Sequence, residues 1–241
     1  MIVLLTDFGH NEYVGVMKGL IYRIDEEATI VDLCHDISPQ SVIEASWVLK
    51  NNYRYFPSGA TLCCVVDPGV GTARKALVVK TAEYYFVGPD NGLLWETLRE
   101  QGIVETRMIP VPENASRTFH GRDVFAKAAA DITLGRFDQL GSRTDQIEKL
   151  VIYLNAREGT VVRIDRFGNI ITNLPGEGKE TYLVKVGGQQ WRMSFHQTYH
   201  AAPENERFLI EGSCNTLEIS LKDGNANEEL KLKTGQHIEI S

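Results

Sequence analysis

The sequence predicts an α/β N-terminal domain with a central sheet flanked by helices, over residues 1–151, and a smaller all-β, barrel-like domain over residues 152–241. In the first domain, short apolar runs alternate with segments of helical period, which is the pattern of a sheet covered by helices. In the second, β-branched residues dominate and no long helical period occurs. The 241 residues suit one large or two modest domains, since a domain usually has ~100 to 150 residues.

The predicted strands are short apolar runs bounded by turn residues. In the first domain they cover residues 2–5, 29–33, 61–66, 76–79 and 84–87. In the second domain they cover residues 161–164, 182–186, 208–211, 217–221 and 237–240, separated by Gly, Asn or Pro clusters.

Three helices are predicted in the first domain. The first should bury four side chains that recur at helical spacing, Tyr13, Met17, Leu20 and Ile24. The second is predicted over residues 42–55, with Ile43, Trp47 and Tyr53 as apolar anchors. The third starts near Val124, is rich in Ala and should end at Gly135, a suitable C-cap.

The composition argues against several classes of function. A net charge of −7 without a run of Lys or Arg argues against a nucleic-acid partner. No apolar stretch approaches the ~20 residues of a membrane span or forms the core of a signal peptide. The four cysteines form no C-x-x-C pair and no metal-ligand spacing, which indicates a reducing compartment. We therefore expect a cytoplasmic protein without a membrane partner.

Polar residues collect where the predicted N-terminal strands end, which is where open α/β sheets bind ligands. They are Asp7, Asp67, His120, Arg122 and Asp123, and glycines stand beside several of them. Singly, a loop Asp is more often a helix cap or turn former than a site residue. The segments lack the Lys-Ser/Thr of a P-loop, the full G-x-G-x-x-G, the G-x-S-x-G elbow and the H-E-x-x-H zinc helix. The spacing alone therefore names no reaction.

Five motifs, in order along nearly the whole chain, resemble those of the SAM hydroxide adenosyltransferases. The motifs are Thr6-Asp7-Phe8-Gly9, residues 65–72 (VVDPGVGT), residues 88–94 (GPDNGLL), residues 118–123 (TFHGRD), and Asp165-Arg166-Phe167-Gly168-Asn169 with Thr172-Asn173. That family comprises adenosine-forming hydrolases of S-adenosyl-L-methionine (SAM) and is related to fluorinating and chlorinating enzymes. The resemblance implies hydrolysis at the ribose C5′ carbon to adenosine and methionine, with no cofactor and no metal.

The resemblance implies a catalytic triad of Asp67, Arg74 and His120 that holds and activates a water beside C5′. The chemistry of the residues agrees with these roles. Arg74 stays protonated and only donates hydrogen bonds, so it can orient a group but cannot be a base. His120, with an ordinary pKa of ~6.5, and Asp67 can each take a proton. The base is one of these two.

The resemblance also implies the substrate contacts. Asp7 is expected to bind the ribose hydroxyls, Phe167 the adenine face, Asn169 the adenine edge, and Asp165 the methionine ammonium group. Further substrate-binding residues are expected at Phe119, Gly121, Asn173, Ser213 and Glu218. Near the C-terminus the family's Asn-Ser-x-Gly-x-Leu-Glu-Ile pattern is only partly kept, because Gly212 and Asn215 depart from it.

Family members place the pocket between subunits, so the resemblance also implies a homotrimer with sites at subunit interfaces. Three alternatives remain at this point. One is a 5′-halogenase of the same family. Another is a metal-dependent phosphohydrolase using Asp7, His35, Asp36 and Asp123, which His35-Asp36 after a strand favours and the lack of a D-x-D pair opposes. The last is a nucleoside-binding module without turnover.

Overall fold

The computed structural model describes residues 1–152 and 157–241 and divides the chain into two units, Met1–Leu150 and Val151–Ser241. The first unit has a seven-stranded sheet in the order β2-β1-β3-β5-β4-β6-β7. Its strands are β1 Ile2–Thr6, β2 Ile30–Cys34, β3 Thr61–Val65, β4 Ala76–Thr81, β5 Tyr85–Pro89, β6 Ile103–Ile109 and β7 Ser142–Arg143.

The sheet is parallel on one side and antiparallel on the other. Strands β2, β1, β3 and β5 run parallel, and β4, β6 and β7 continue the sheet in antiparallel pairs. Every residue of β1 and β3 is buried, which explains why both strands read as continuous apolar runs rather than alternating patterns. Their carboxyl ends lie at one edge of the sheet, where loops can enclose a ligand.

Helices α1 Glu12–Ile24, α2 Val42–Asn52, α3 Trp95–Gln101 and α4 Lys127–Thr133 belong to this unit. The predicted face of α1 is confirmed at Met17, which is buried, and in part at Leu20 and Ile24, which pack half-buried against the core, but it is wrong at Tyr13. The helix also buries Val14 and Ile21. Tyr13 is 43% exposed instead. Its neighbour Val14 is the residue that reaches the core, because the buried stripe lies about one position further along the helix.

The remaining boundaries differ from the prediction in detail. Helix α2 ends at Asn52 and continues as a 3₁₀ turn over Tyr53–Tyr55. A π-helical turn, Gly121–Ala126, leads into α4, and the chain leaves α4 through Gly135 with a positive φ of 72°. Helix α3 and strands β6 and β7 were not predicted. In β6 the burial is mixed, so the apolar pattern that marks a strand is weak there.

The second unit is a nearly closed antiparallel barrel with the strand order β11-β10-β14-β8-β9-β13-β12. It contains β8 Glu158–Ile164, β9 Ile170–Thr172, β10 Thr181–Val186, β11 Gln189–Ser194, β12 Arg207–Glu211, β13 Leu217–Leu221, β14 His237–Ile240 and one short helix, α5 Ala226–Leu230. The two ends of the sheet meet through a bridge between Phe195 and Leu209. The predicted fold class is confirmed, although β9, β11 and α5 were not predicted. No helix of the described residues is long and apolar enough to cross a membrane.

Candidate active site

A pocket of about 310 Å³ opens in the first unit beyond the ends of β1 and β3. Its walls come from the segments that follow β1, β2 and β3 and from the entry to the π-helical turn. The lining residues are Asp7, Phe8, Asn11, Tyr13, Pro39, Gln40, Val65, Asp67, Val70, Thr118, Phe119, His120 and Gly121. Of the residues predicted at this end of the sheet, Asp7, Asp67, Phe119, His120 and Gly121 line one pocket, whereas Arg74, Arg122 and Asp123 do not.

Arg74 joins Asp67 to His120. Its Nε atom lies 2.9 Å from Asp67 Oδ1 and 3.0 Å from Oδ2, and its Nη2 atom also donates to Oδ2. The same Nη2 atom lies 2.7 Å from His120 Nδ1. The guanidinium group is 5.2 Å from the centre of the buried Phe125 ring, a cation–π distance. The side chains of Asp67 and Arg74 are almost fully buried, so this ion pair is shielded from solvent.

This contact assigns the proton on the His120 ring. A guanidinium group only donates hydrogen bonds, so Nδ1 of His120 must accept one and carries no proton. The ring proton therefore belongs on Nε2. Burial lowers the pKa of His120 and the positive charge of Arg74 lowers it further, which favours the same neutral ring at pH 7. In this state His120 presents an N–H donor rather than a free base.

The Asp67–Thr72 loop is shaped by glycine and by short hydrogen bonds. The hydroxyl of Thr72 donates to the carbonyl of Gly69 at 2.7 Å and accepts from the Arg74 N–H at 3.3 Å. Gly71 has a φ of 78°, and a Cβ atom there would collide with the Arg117 carbonyl. The glycine therefore permits two loops to approach each other, and this approach holds Asp67 and His120 side by side.

Asp7 is the second carboxylate of the pocket. Its Oδ2 atom accepts a hydrogen bond from the Gln40 N–H at 2.8 Å, and Gln40 has a left-handed φ of 64°. Burial raises the pKa of Asp7 above its ordinary value, and the nearby Asp67 carboxylate adds to the increase, while backbone hydrogen bonds oppose both. Burial and the neighbouring carboxylate therefore both disfavour the ionised form of Asp7.

Three aromatic rings form one wall of the pocket. Phe119 lies edge-to-face against Phe8 at 5.8 Å and against Tyr13 at 5.1 Å between ring centres. A Cβ atom at Gly121 would press on Phe8, Phe119 and Met17 at 3.1 to 3.2 Å. Gly121 is thus required for packing behind the rings, and Phe119 gives the pocket an apolar face.

The predicted residues of the second unit form a cluster around one turn. Asp165 Oδ1 accepts the N–H groups of Phe167 and Asn169, each at 2.9 Å, and Oδ2 accepts from Asn169 Nδ2 at 2.9 Å. The Phe167 ring is 68% exposed, whereas Asn169 is buried. The turn therefore presents an exposed aromatic ring, with the Arg166 guanidinium group 5.9 Å from its centre, beside a fixed amide.

Tyr199 connects this turn to Glu218. Its hydroxyl lies 3.4 Å from Asn169 Nδ2 and 3.4 Å from Glu218 Oε2. Burial raises the pKa of Glu218, and the Asp165 charge raises it further. Tyr199 was not predicted as a site residue, because no motif surrounds it in the loop between β11 and β12. Tyr13 and Gln40 of the pocket were missed similarly, Tyr13 because its helical spacing suggested a core position.

Asn173 and Ser213 do not share these contacts. The amide of Asn173 is used within the fold, since its oxygen accepts from Thr160 N–H at 2.7 Å and its nitrogen donates to the Ile152 carbonyl. Ser213 is exposed on the loop before β13. In that loop a Cβ atom at Gly212 would overlap the Glu218 carboxyl group. The glycine, which departs from the family pattern at position 212, therefore leaves space for the observed position of the Glu218 side chain.

The residues of the phosphohydrolase alternative are held apart by other partners. His35 contacts Thr6 and Asp32, and exposed Asp36 lies 3.3 Å from His10. Asp123 accepts hydrogen bonds from Arg122 and from Ser116 N–H. Within residues 1–152 and 157–241, no three His, Cys, Asp or Glu side chains are grouped so that they could hold one metal ion.

Both units match one protein family. Residues 2–141 match the SAM hydroxide adenosyltransferase N-terminal domain, and residues 159–239 match the SAM hydroxide adenosyltransferase C-terminal domain. The chain belongs to the SAM hydroxide adenosyltransferase family. The family predicted from the order of five motifs is therefore confirmed.

The named relatives within this family agree with the assignment. The chain is 37% identical to an (R)-S-adenosyl-L-methionine hydrolase of Thermus thermophilus, over 99% of this chain and 98% of the relative. It is 36% identical to an enzyme of the same name from Methanocaldococcus jannaschii, over 100% and 95%. A fluorinase of Actinopolyspora mzabensis is a more distant relative, at 25% identity over 78% of this chain and 75% of the relative.

Two solved structures of similar proteins share the fold over the full chain. A conserved protein from Thermotoga maritima superposes with a TM-score of 0.90 at 36% identity and covers 100% of both chains. A conserved protein from Thermus thermophilus superposes with a TM-score of 0.84 at 34% identity, over 100% of this chain and 99% of that one.

Proposed function

We propose that this family member hydrolyses SAM at the ribose C5′ carbon, giving adenosine and L-methionine. The observation that carries the proposal is the joined Asp67, Arg74 and His120 cluster at a pocket that a second carboxylate, Asp7, also lines. A negative pocket favours a cationic ligand, and the sulfonium of SAM is a cation. The hydrolase names of the relatives at 36 to 37% identity support the same substrate.

The reaction requires a water in line with the C5′–S bond. The water oxygen bonds to C5′ while the electron pair of the C5′–S bond passes to sulfur, which leaves as the neutral thioether of methionine. Because the leaving group is neutral, we propose a reaction that needs no general acid and no metal. Alignment can remove up to ~7 to 11 kcal/mol of the barrier, and general base help typically adds ~100- to 10,000-fold, so alignment dominates.

We assign the base to Asp67. His120 uses Nδ1 to accept from Arg74, so its Nε2–H can hold the water oxygen but cannot take a proton from it. Asp67 lines the pocket and, although Arg74 binds both its oxygens, a carboxylate has about four acceptor positions. The water proton therefore passes to Asp67 as the C5′–O bond forms. Arg74 fixes the Asp67 carboxylate and the His120 ring in place through its hydrogen bonds.

The substrate is proposed to be held by residues of both units. Asp7 accepts the ribose hydroxyls, and Phe119 with Gly121 forms the apolar wall near C5′. Exposed Phe167 covers the adenine face and Asn169 its edge, with Asp165 and Glu218 near the methionine ammonium group. Asn173 and Ser213 complete the proposed set of substrate-binding residues. Asn173 acts indirectly, because its side chain accepts a hydrogen bond from Thr160 N–H and so joins the end of β9 to β8. The 68% exposure of Phe167 supports its role, because such an apolar ring gains most from a covering ligand.

Water rather than halide is the proposed nucleophile. An unpaired carboxylate at ~4 Å would repel a halide by about 4 kcal/mol at an effective dielectric of ~20. The Arg74 ion pair offsets part of that repulsion, so the figure is an upper bound. The Asp67 carboxylate accepts a hydrogen bond from a neutral water instead, which distinguishes this site from a 5′-halogenase.

A homotrimer with sites shared between subunits is also proposed, on the family resemblance, together with a cytoplasmic location, which the four free cysteines favour. Asp7 and Asn169 lie in different units of the chain. Inactive Asp7→Ala protein mixed with inactive Asn169→Ala protein should regain activity after subunit exchange if sites are shared. No regained activity after verified subunit exchange would argue for sites within one chain. The cytoplasmic location is tested separately, by cell fractionation.

The proposed reaction is tested by incubating the protein with SAM and separating the products by chromatography. We expect adenosine and methionine in equal amounts, and the same rate after treatment with a chelator. Methylthioadenosine or S-adenosylhomocysteine as the main product would place the chemistry at another carbon. Loss of activity on chelation would favour a metal enzyme instead.

A further inference from the structure

His35 lies outside the pocket but contacts the pocket loop at two points. Its Nδ1 atom is 2.8 Å from the Thr6 hydroxyl, and that hydroxyl accepts the Phe8 N–H at 3.2 Å. The carbonyl of His35 accepts the Gly9 N–H at 2.8 Å. Asp7 is the residue that these contacts enclose, between Thr6 on one side and Phe8 with Gly9 on the other.

A bulge between β1 and β2 brings His35 to this position. Leu4 pairs with Asp32, but Leu5 pairs with Cys34, so β2 carries one extra residue at this point. The shift places His35 beside Thr6, which is fully buried at the end of β1. Bulges often redirect a side chain near a functional site, and here the redirected side chain is His35.

The far side of the His35 ring is held by charged groups. Its Nε2 atom lies 3.0 Å from Asp32 Oδ1, and Lys18 Nζ donates to Asp32 Oδ2 at 2.6 Å. Burial alone would raise the pKa of Asp32, but the contacts with Lys18 and His35 lower it below its ordinary value. The His35 Nε2 atom lies at ion-pair distance from Asp32 without the geometry of a hydrogen bond. The neighbouring carboxylate favours the ring proton on Nε2, so Nδ1 accepts from the Thr6 hydroxyl.

We infer that His35 is a positioning residue that fixes the Asp7 carboxylate for the ribose hydroxyls through Thr6 and Gly9. The inference rests on the proposed function, because it takes a ribose as the ligand of Asp7. His35 does not line the pocket, so it acts only through the loop. Its loss should therefore weaken recognition of the ribose hydroxyls and leave the rest of the ligand contacts in place.

The test compares the binding of adenosine with that of 2′,3′-dideoxyadenosine by titration calorimetry. In His35→Leu the preference for adenosine should fall about tenfold, as expected for a misplaced hydrogen bond to a charged group, with dideoxyadenosine affinity changed less than about threefold. The KM for SAM should rise about tenfold with kcat within about threefold. His35→Asn, whose amide can replace Nδ1, should restore most of the preference.

Two further variants complete the design. Thr6→Val keeps the shape of a buried residue but removes the hydroxyl, so it should reproduce the loss even if His35→Leu folds poorly. His10→Leu is the matched control, because His10 follows the same loop but is 87% exposed in its side chain, and it should bind like the unsubstituted protein.

Equal loss of affinity for both nucleosides, or no loss, in His35→Leu and Thr6→Val would overturn the inference while leaving the proposed function intact. If the unsubstituted protein neither converts SAM to adenosine nor prefers adenosine to its dideoxy form, the proposed function and this inference both fail.

Discussion

The pocket of the first unit and the Asp165 turn of the second are built in opposite ways. Asp67 and Arg74 are seven positions apart, whereas His120 is 46 positions beyond Arg74 and meets them only because two loops approach each other. Asp165, Phe167 and Asn169 lie within five residues and are held by hydrogen bonds inside one turn. In the proposed function, the first arrangement fixes the geometry of the reaction and the second presents a preformed surface to the substrate. Substitutions should therefore affect kcat in the pocket and KM in the turn.

The largest effect is expected for Asp67→Asn, which keeps the shape of the side chain but removes the proposed base. We expect kcat to fall about 100- to 10,000-fold, the range of general base catalysis. Asp123→Asn is the matched control, because Asp123 also binds an arginine but does not line the pocket. Steady-state rates of both variants, with melting curves to verify folding, make the comparison. A similar loss of kcat in both would mean that the pocket only requires intact ion pairs.

Substitutions of His120 test whether Asp67 or His120 takes the proton from the attacking water. If His120 donates from Nε2, Gln can replace it, so His120→Gln should lower kcat by about tenfold or less and His120→Leu by about a hundredfold. The measurement is kcat at pH 7 for both variants. Equal, large losses would make His120 the base and would contradict the proton assignment that follows from Arg74.

The same contrast explains what the sequence could and could not predict. The turn around Asp165 is local, so its residues follow from one motif. The contact between Arg74 and His120 spans 46 positions and could be expected only from the order of the motifs along the chain. Tyr199 could not be predicted, because tertiary contacts alone bring it to Asn169. The strands β1 and β3 could be predicted because both are wholly buried and form continuous apolar runs. Strand β6 could not, because its residues differ in burial and form no such run.

A smaller effect, on KM rather than kcat, is expected for Phe167→Ala. Stacking of a base on an aromatic side chain contributes ~1 to 3 kcal/mol, so KM for SAM should rise about tenfold with kcat within about threefold. Tyr55→Ala removes another exposed aromatic ring, 78% exposed and outside the pocket, and should change neither constant. A loss of kcat in Phe167→Ala equal to its loss of affinity would remove the distinction between the two regions.

The smallest effect is expected for Glu218→Gln. Burial and the charge of Asp165 raise the pKa of Glu218, so the carboxylate is disfavoured in the folded state. The favourable contribution of the neutral form is complete below the ordinary pKa of 4.5 and is lost as the pH rises through the raised value. Glu218→Gln should therefore raise the melting temperature by about 2 °C at pH 7 and leave it unchanged near pH 4. A lower melting temperature at pH 7 would mean that the ionised group stabilises the barrel.

The central claim, that Asp67 and His120 direct a water at C5′, is tested most directly by hydrolysis of SAM in ¹⁸O-labelled water with chloride present. The account predicts one labelled oxygen in the 5′-hydroxyl of adenosine, none in methionine, and loss of this product in Asp67→Asn. Formation of 5′-chloro-5′-deoxyadenosine as the main product at modest chloride would contradict it, because the negative pocket would then have admitted an anion in place of water.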